Sequence, residues 1–221
     1  MITAVLFDLF ETLITESGIQ PTRASSLAAT LGLEKDAYRR EWKMRRPSIV
    51  RGQMSFAEAL TEISQTLIGR ADQAVIQEIC QQRIREKAVA YAQLQDEVAA
   101  LVTALARRGV GLAVVSNGFK EDVLGWSHCS LAVEIRCTAF SCAERIAKPD
   151  PEIYQRAVRR LGVDPATTVY IGDGGDDELG GAERAGLRAY RAAWFVSNSP
   201  QKATWPELTD HKDVLKLVAA G

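Results

Sequence analysis

The stretch Val5–Leu13, VLFDLFETL, carries an apolar run straight into a carboxylate, Asp8, and then sets Phe10 where a second acid could have stood. The run from Thr3 to Phe7 reads as a buried strand, and Asp8 falls just past its end. Working outward, similar short apolar runs occur at Gly111–Val115, Val133–Ala139, Thr168–Ile171 and Leu187–Arg191. Helical patterns separate most of them. Ala99–Arg108 has helical spacing, a basic last turn and Gly109 as its stop, and Pro151–Leu161 repeats the design before Gly162. Strands alternating with helices in this way predict parallel βαβ units.

About a hundred residues lie between the first two strands, too many for one crossover helix, so a subdomain is inserted there. Residues 21–32, 34–46, 55–69 and 72–92 carry apolar residues at three- and four-residue steps, such as Ala59, Ile63 and Leu67. Ser55 and Asp72 are placed to cap two of these helices, while Pro47 and Gly52 punctuate the middle of the insertion. The resulting division is a core of residues 1–14 and 94–221 with a helical cap at 15–93. Because open parallel sheets bind ligands at the carboxyl ends of their strands, the cap is expected over that edge. The tail after Pro206 reads as one last helix.

Twenty-seven Lys and Arg against 28 Asp and Glu give a net charge of -1, without a long run of either sign. That balance argues against a nucleic-acid or anionic-membrane partner and for a small-molecule substrate. No apolar run reaches membrane-spanning length, and Asp8 cuts the first run before it could serve as a signal peptide, so a cytoplasmic location is expected. Cys80, Cys129, Cys137 and Cys142 lack CxxC spacing and read as free thiols. The gaps among His128, Cys129, Cys137 and Cys142 do not suit a zinc site. The four tryptophans are scattered and read as packing residues.

Three further segments bear on chemistry. In LAVVSNG, Ser116 follows the second strand at the topological position that Asp8 holds after the first, with Asn117 next to it. In KPDPEIY, Lys148 is fixed by Pro149 just ahead of a helix capped by Asp150. TVYIGDGGDDELGGAERAG ends a strand in Gly172-Asp173 and continues through Asp176, Asp177 and Glu178, a glycine-laced acidic loop. Neither a GxGxxG fingerprint nor a GxxxxGK[ST] phosphate loop is present. If Asp8, Asp173 and Asp177 meet at one edge, each pair about 5 Å apart repels by roughly 3 kcal/mol at an effective dielectric near 20. A hard divalent cation such as Mg²⁺ removes that penalty.

In this order and spacing, FDLFETL, VVSNG, KPDPEIY and IGDGGDDELGGA resemble the four motifs of the haloacid dehalogenase-like (HAD) hydrolase superfamily, over nearly the whole chain. The resemblance implies an α/β fold: a Rossmann-like three-layer parallel sheet core with an inserted α-helical cap. It implies Asp8 as nucleophile, Ser116 and Lys148 as holders of the transferring group, and Thr12 and Asn117 as substrate contacts. It also implies Mg²⁺ held by Asp8, the backbone carbonyl of Phe10, Asp173 and Asp177. Phe10 departs from the pattern of the family's phosphatases, which place a general acid there; its loss is expected to slow hydrolysis of esters with poor leaving groups. The family's dehalogenases accept Tyr or Phe at that position, but need no Mg²⁺ and usually lack the acidic fourth motif. The reading adopted is a Mg²⁺-dependent phosphatase working through an aspartyl-phosphate on Asp8. A 2-haloacid dehalogenase, with a cap arginine among Arg39, Arg40, Arg45, Arg46 and Arg51 for the carboxylate, and a catalytically weak binding or regulatory protein are the alternatives.

Overall fold

A computed structural model describes residues 1–19, 24–195 and 204–220 of the chain. Six strands form one parallel sheet: β1 (Ala4–Phe7), β2 (Gly111–Ser116), β3 (Cys137–Phe140), β4 (Thr168–Gly172), β5 (Arg188–Ala192) and β6 (Glu207–Leu208), in spatial order β3-β2-β1-β4-β5-β6. β1 is the turning point of that order, with β2 on one side and β4 on the other, Leu6 lying opposite both Ala113 and Tyr170. The crevice at the carboxyl end of such a strand is where open α/β sheets take ligands.

Helices α1 (Ala24–Thr30), α2 (Lys35–Val50), α3 (Phe56–Ile68) and α4 (Gln73–Ala92) lie between β1 and β2, and α5 (Asp96–Arg107) leads back to the sheet. Short helices α6 (Lys120–Val123) and α7 (Ser141–Glu144) follow β2 and β3. α8 (Pro151–Leu161) and α9 (Glu178–Arg184) flank β4, and α10 (His211–Ala220) ends the described chain. The caps foreseen from sequence are formed. The Ser55 hydroxyl accepts from the Glu58 amide while the Glu58 carboxylate accepts from the Ser55 amide; Asp72 accepts from the amides of Ala74 and Val75, and Asp150 from that of Glu152.

Successive residues of β1 face opposite layers. Val5 and Phe7 join a cluster with Val98, Leu101 and Leu105 of α5 and Val214 of α10, whereas Leu6 packs with Ile153 and Tyr154 of α8 and Leu179 of α9. The core is therefore three-layered. A further cluster unites Leu27, Tyr38, Ile49, Phe56, Leu60, Ile63 and Ile76 of the inserted helices with Phe119 and Ala147 of the core chain. Those two core residues stand just beyond β2 and just before Lys148, so burying them ties the insertion to the carboxyl edge. Each fully buried side chain of this size stabilises by about 1.5–3 kcal/mol. Arg83 of α4 adds an ion pair with Asp122 of α6 at 2.7 Å and lies 4.5 Å from the Phe119 ring centroid.

Three boundaries differ from the sequence reading. α2 runs through Pro47 to Val50, because Pro47 stands in its last turn, and the Arg51 amide still finds the Pro47 carbonyl at 3.2 Å. The run Val133–Ala139 is not one strand: Ser130–Val133 forms a 3₁₀ turn, Val133 is 66% exposed, and β3 begins only at Cys137. After Pro206 the chain adds the edge strand β6 before α10. The first three residues of the expected 21–32 helix lie outside the described residues. No helix among the described residues is long and apolar enough to cross a membrane.

Candidate active site

The sheet delivers four chemical groups to one edge. Asp8 follows β1 directly, and its amide prolongs the ladder by donating to the Ile171 carbonyl at 2.9 Å. Ser116 is the last residue of β2, Asp173 follows β4, and Lys148 comes from the turn ahead of α8, where the Lys148–Pro149 peptide bond is cis. Asp8, Ser116 and Lys148 are all buried. The Lys148 ammonium donates to the carboxylates of both Asp8 and Glu178, and to the Tyr170 hydroxyl at 3.0 Å. Carboxylate oxygens of Asp8, Asp173 and Glu178 lie within 4.8 Å of one another, the one grouping with metal-holding geometry among the described residues.

Glu178, rather than the expected Asp177, completes this set. Asp176 and Asp177 sit in the left-handed region, at φ +51° and +54°, and this turn sends the Asp177 carboxylate out to Arg184 at 2.9 Å, about half exposed. Glu178, opening α9, points inward instead. Its Oε2 accepts from Tyr170 at 2.6 Å as well as from Lys148, and its Oε1 accepts from the Gly174 amide at 2.9 Å. The signal available in the sequence was the glycine before Asp173: a Cβ on Gly172 would stand 2.2 Å from Glu178 Oε1.

Asn117, expected against substrate, holds the Lys148 backbone. Its Oδ1 accepts from the Lys148 amide at 2.8 Å and its Nδ2 donates to the Lys148 carbonyl at 2.9 Å, with Asp176 Oδ2 a further acceptor at 3.4 Å. That same Asp176 oxygen receives Arg46 of α2 at 3.2 Å, a direct link from the insertion to the acidic loop. Thr12 is fully buried, its carbonyl accepting from Trp194 Nε1 at 2.9 Å, and its hydroxyl has no hydrogen-bond partner among the described residues. Phe10 meets the insertion: the Lys87 ammonium lies 3.7 Å from its ring centroid and Tyr91 packs edge-on at 6.2 Å. Glu11 does not stand in for an acid at position 10. Its carboxylate accepts from the Glu16 amide at 2.8 Å and the Thr15 hydroxyl at 3.2 Å.

Electrostatically the site is short of positive charge. Among the described residues three acids converge on the one Lys148 ammonium, and the buried Arg191 guanidinium adds a bond to the Asp173 carbonyl at 3.3 Å, so acids outnumber bases in this cluster. Burial, resisted by Lys148 and reinforced by Glu178, pushes the Asp8 carboxyl up to about 7. Burial and Glu178 push Asp173 up to about 6. For Lys148, burial works against the ammonium, yet Asp8 and Glu178 outweigh it and hold its proton above the ordinary lysine range. The Glu178 oxygens are engaged by Lys148, Tyr170 and Gly174, so Asp8 and Asp173 are the acids whose charge a cation would answer. Hard carboxylate oxygens gathered this closely fit Mg²⁺.

A parallel α/β sheet with a buried acid at its turning strand, a lysine braced between two carboxylates and further acids after the next strand defines a hydrolase-type site. The family haloacid dehalogenase-like hydrolase matches residues 2–186, and the chain belongs to it. A glyceraldehyde 3-phosphate phosphatase from Methanopyrus kandleri is 29% identical over 200 residues, 86% of this chain and 84% of that one. A phosphoserine phosphatase from Thermus thermophilus is 32% identical over 100 residues, 43% of this chain and 39% of that enzyme. Among solved structures, a 2-haloacid dehalogenase from Pseudomonas syringae superposes over 100% of this chain and 99% of its own, with a TM-score of 0.72 at 23% identity. A HAD phosphatase from Thermococcus onnurineus covers 98% of both chains, with a TM-score of 0.64 at 22% identity. The chain is a hydrolase, and relatives of both chemistries share its fold.

Proposed function

We propose that this hydrolase is a Mg²⁺-dependent phosphatase acting on small phosphate esters through Asp8, with residues 15–93 as a cap over the site. The observation that carries the reading is the convergence of three carboxylates, Asp8, Asp173 and Glu178, around one lysine, with their oxygens within 4.8 Å of one another. Carbon–halogen cleavage needs no such excess of acids, whereas a phosphoryl substrate brings further negative charge that a divalent cation must offset. The phosphatase activities of the Methanopyrus kandleri and Thermus thermophilus relatives point the same way.

In the first step an Asp8 carboxylate oxygen attacks phosphorus, the bond to the leaving oxygen breaks with its electron pair, and a phosphoryl group remains on Asp8. Lys148, braced by Glu178 and Asn117, neutralises a phosphoryl oxygen, and the Ser116 hydroxyl hydrogen-bonds another. In the second step water attacks the same phosphorus, the bond between phosphorus and the Asp8 oxygen breaks with its electron pair returning to the Asp8 carboxylate, and the water's proton departs with the released phosphate or to solvent. Asp8, Asp173 and the backbone carbonyl of residue 10 would hold Mg²⁺, which supplies electrostatic neutralisation of the phosphoryl oxygens. Asp177, committed to Arg184, is left out of that set.

A second reading, a 2-haloacid dehalogenase using Asp8 on carbon, is favoured by Phe10, since a halide departs without a proton. Phosphate release from a panel of phosphate esters and halide release from chloroacetate, with and without Mg²⁺, separate the two. Phosphate release that requires Mg²⁺ and falls at least about 10³-fold in Asp8→Asn is expected. Metal-independent halide release would establish the dehalogenase.

A further inference from the structure

Resting on the phosphatase reading, we propose that Lys87 of α4 is the leaving-group cation of this enzyme, supplying through charge what Phe10 cannot supply as an acid. The position two beyond the nucleophile is where proton help to the departing oxygen would originate, and here it bears a phenyl ring. The insertion sets an ammonium on the face of that ring, 3.7 Å from its centroid. Lys87 is buried, an unusual place for a lysine, and it arrives at residue 10 from 77 positions further along the chain. Its ionic partner is Glu16 at 2.7 Å. An ammonium carries three donors, of which that carboxylate takes one.

The ring itself is fixed. Tyr91, one helical turn beyond Lys87 on α4, packs edge-on against Phe10 and anchors its own hydroxyl on the Asp122 carbonyl at 3.0 Å. Lys87 and Tyr91, one turn apart on α4, thus both pack on the Phe10 side chain, and the helix holds the cation on that ring two positions beyond Asp8. When Asp8 attacks phosphorus, the P–O bond to the leaving group breaks and both electrons stay on the departing oxygen. Lys87 faces that developing negative charge and keeps its own proton; water later protonates the product. Such a site favours substrates whose leaving groups depart as anions, namely acyl phosphates, phosphoanhydrides and acidic phosphate esters, over simple alkyl esters. It needs no acid at position 10.

The test is a series of aryl and alkyl phosphates graded by leaving-group acidity, assayed with Mg²⁺ on the wild type, Lys87→Gln, Lys87→Arg and Glu16→Gln. Lys87→Gln is expected to lose little on p-nitrophenyl phosphate and about 10²-fold on an alkyl ester, so that rate depends more steeply on leaving-group acidity. Lys87→Arg, which keeps the charge, should recover most of that slope. Glu16→Gln breaks the same ion pair but retains the cation, and should leave the slope unchanged or shallower. Equal losses across the series in Lys87→Gln, or a slope that steepens in Glu16→Gln, would show that the pair is only a strut and overturn the proposal. Because the Glu16 arm retains Lys87, it decides the question even where Lys87→Gln does not fold. A wild type that releases no phosphate from any ester overturns the phosphatase reading itself, and the role of Lys87 with it.

Discussion

Phe10 and Gly172 show how single positions set this site. Phe10 packs against Tyr91 and Lys87, and partly buried aromatic contacts of this kind contribute about 1 kcal/mol. Phe10→Asp is expected to give up that stability in urea unfolding while raising turnover of alkyl phosphates, relative to p-nitrophenyl phosphate, by about 10- to 100-fold. An unchanged ratio would mean that proton transfer to the leaving oxygen does not limit the reaction. Gly172 answers to a different constraint, since a Cβ there would meet the Glu178 carboxylate at 2.2 Å. Gly172→Ala should therefore displace Glu178 from Lys148, cost about 1–3 kcal/mol and lower kcat more than tenfold. Asp8, Ser116, Lys148 and Asp173 were legible because each sits at the end of a strand or at a proline-fixed turn. Glu178 was not, because the choice between it and Asp177 depends on two left-handed residues in succession, Asp176 and Asp177. Aspartate accepts that conformation more readily than most residues but adopts it only where the surrounding turn requires it, so residue type alone did not fix which acid turned inward.

At the scale of elements, the insertion is joined to the core by contact as well as by chain. The loop between α2 and α3 passes so close to α7 that a Cβ on Gly52 would lie 2.0 Å from the Cys142 carbonyl oxygen, and Gly52 has φ +62°. Gly52→Ala is expected to push this loop off the core, with a loss of about 1–3 kcal/mol in denaturant unfolding and a raised KM. A change in stability with KM untouched would separate this contact from substrate capture. Helix existence and capping were readable because caps act through neighbours two or three positions away, as at Ser55, Asp72 and Asp150. The passage of α2 through Pro47 was not. A proline in a last turn removes one donor, and the burial of Ile49 and Val50 outweighs that loss. Likewise the Val133–Ala139 run looked like one strand because apolar composition does not report that Val133 faces solvent.

For the molecule as a whole, the site couples stability to pH and to metal. Asp8, raised from 3.8 to about 7, binds its proton more tightly in the folded state than in the unfolded one. Stability from this group is therefore fullest at acid pH and is lost as pH rises from about 4 to 7; Asp173, raised to about 6, acts in the same sense. The metal-free wild type is expected to lose stability relative to Asp8→Asn across that interval, measured by chemical unfolding at a series of pH values. Above pH 7, Mg²⁺ at a hundred times its Kd should restore about 2.7 kcal/mol, or about 5–10 °C in Tm, and Asp173→Asn should abolish most of that gain. No Mg²⁺-dependent shift in the wild type would contradict the metal assignment. Taken by itself, the sequence determined the alternating strands and helices, the helical insertion after the first strand and most of the residues that reach the carboxyl edge, because periodicity, caps and strand ends are local. Only the tertiary structure decided that Glu178 rather than Asp177 joins Asp8 and Asp173 and braces Lys148, that Asn117 holds the Lys148 backbone, and that Lys87 covers Phe10. These contacts join residues whose approach depends on how one element packs against another, and local sequence carries no record of that packing.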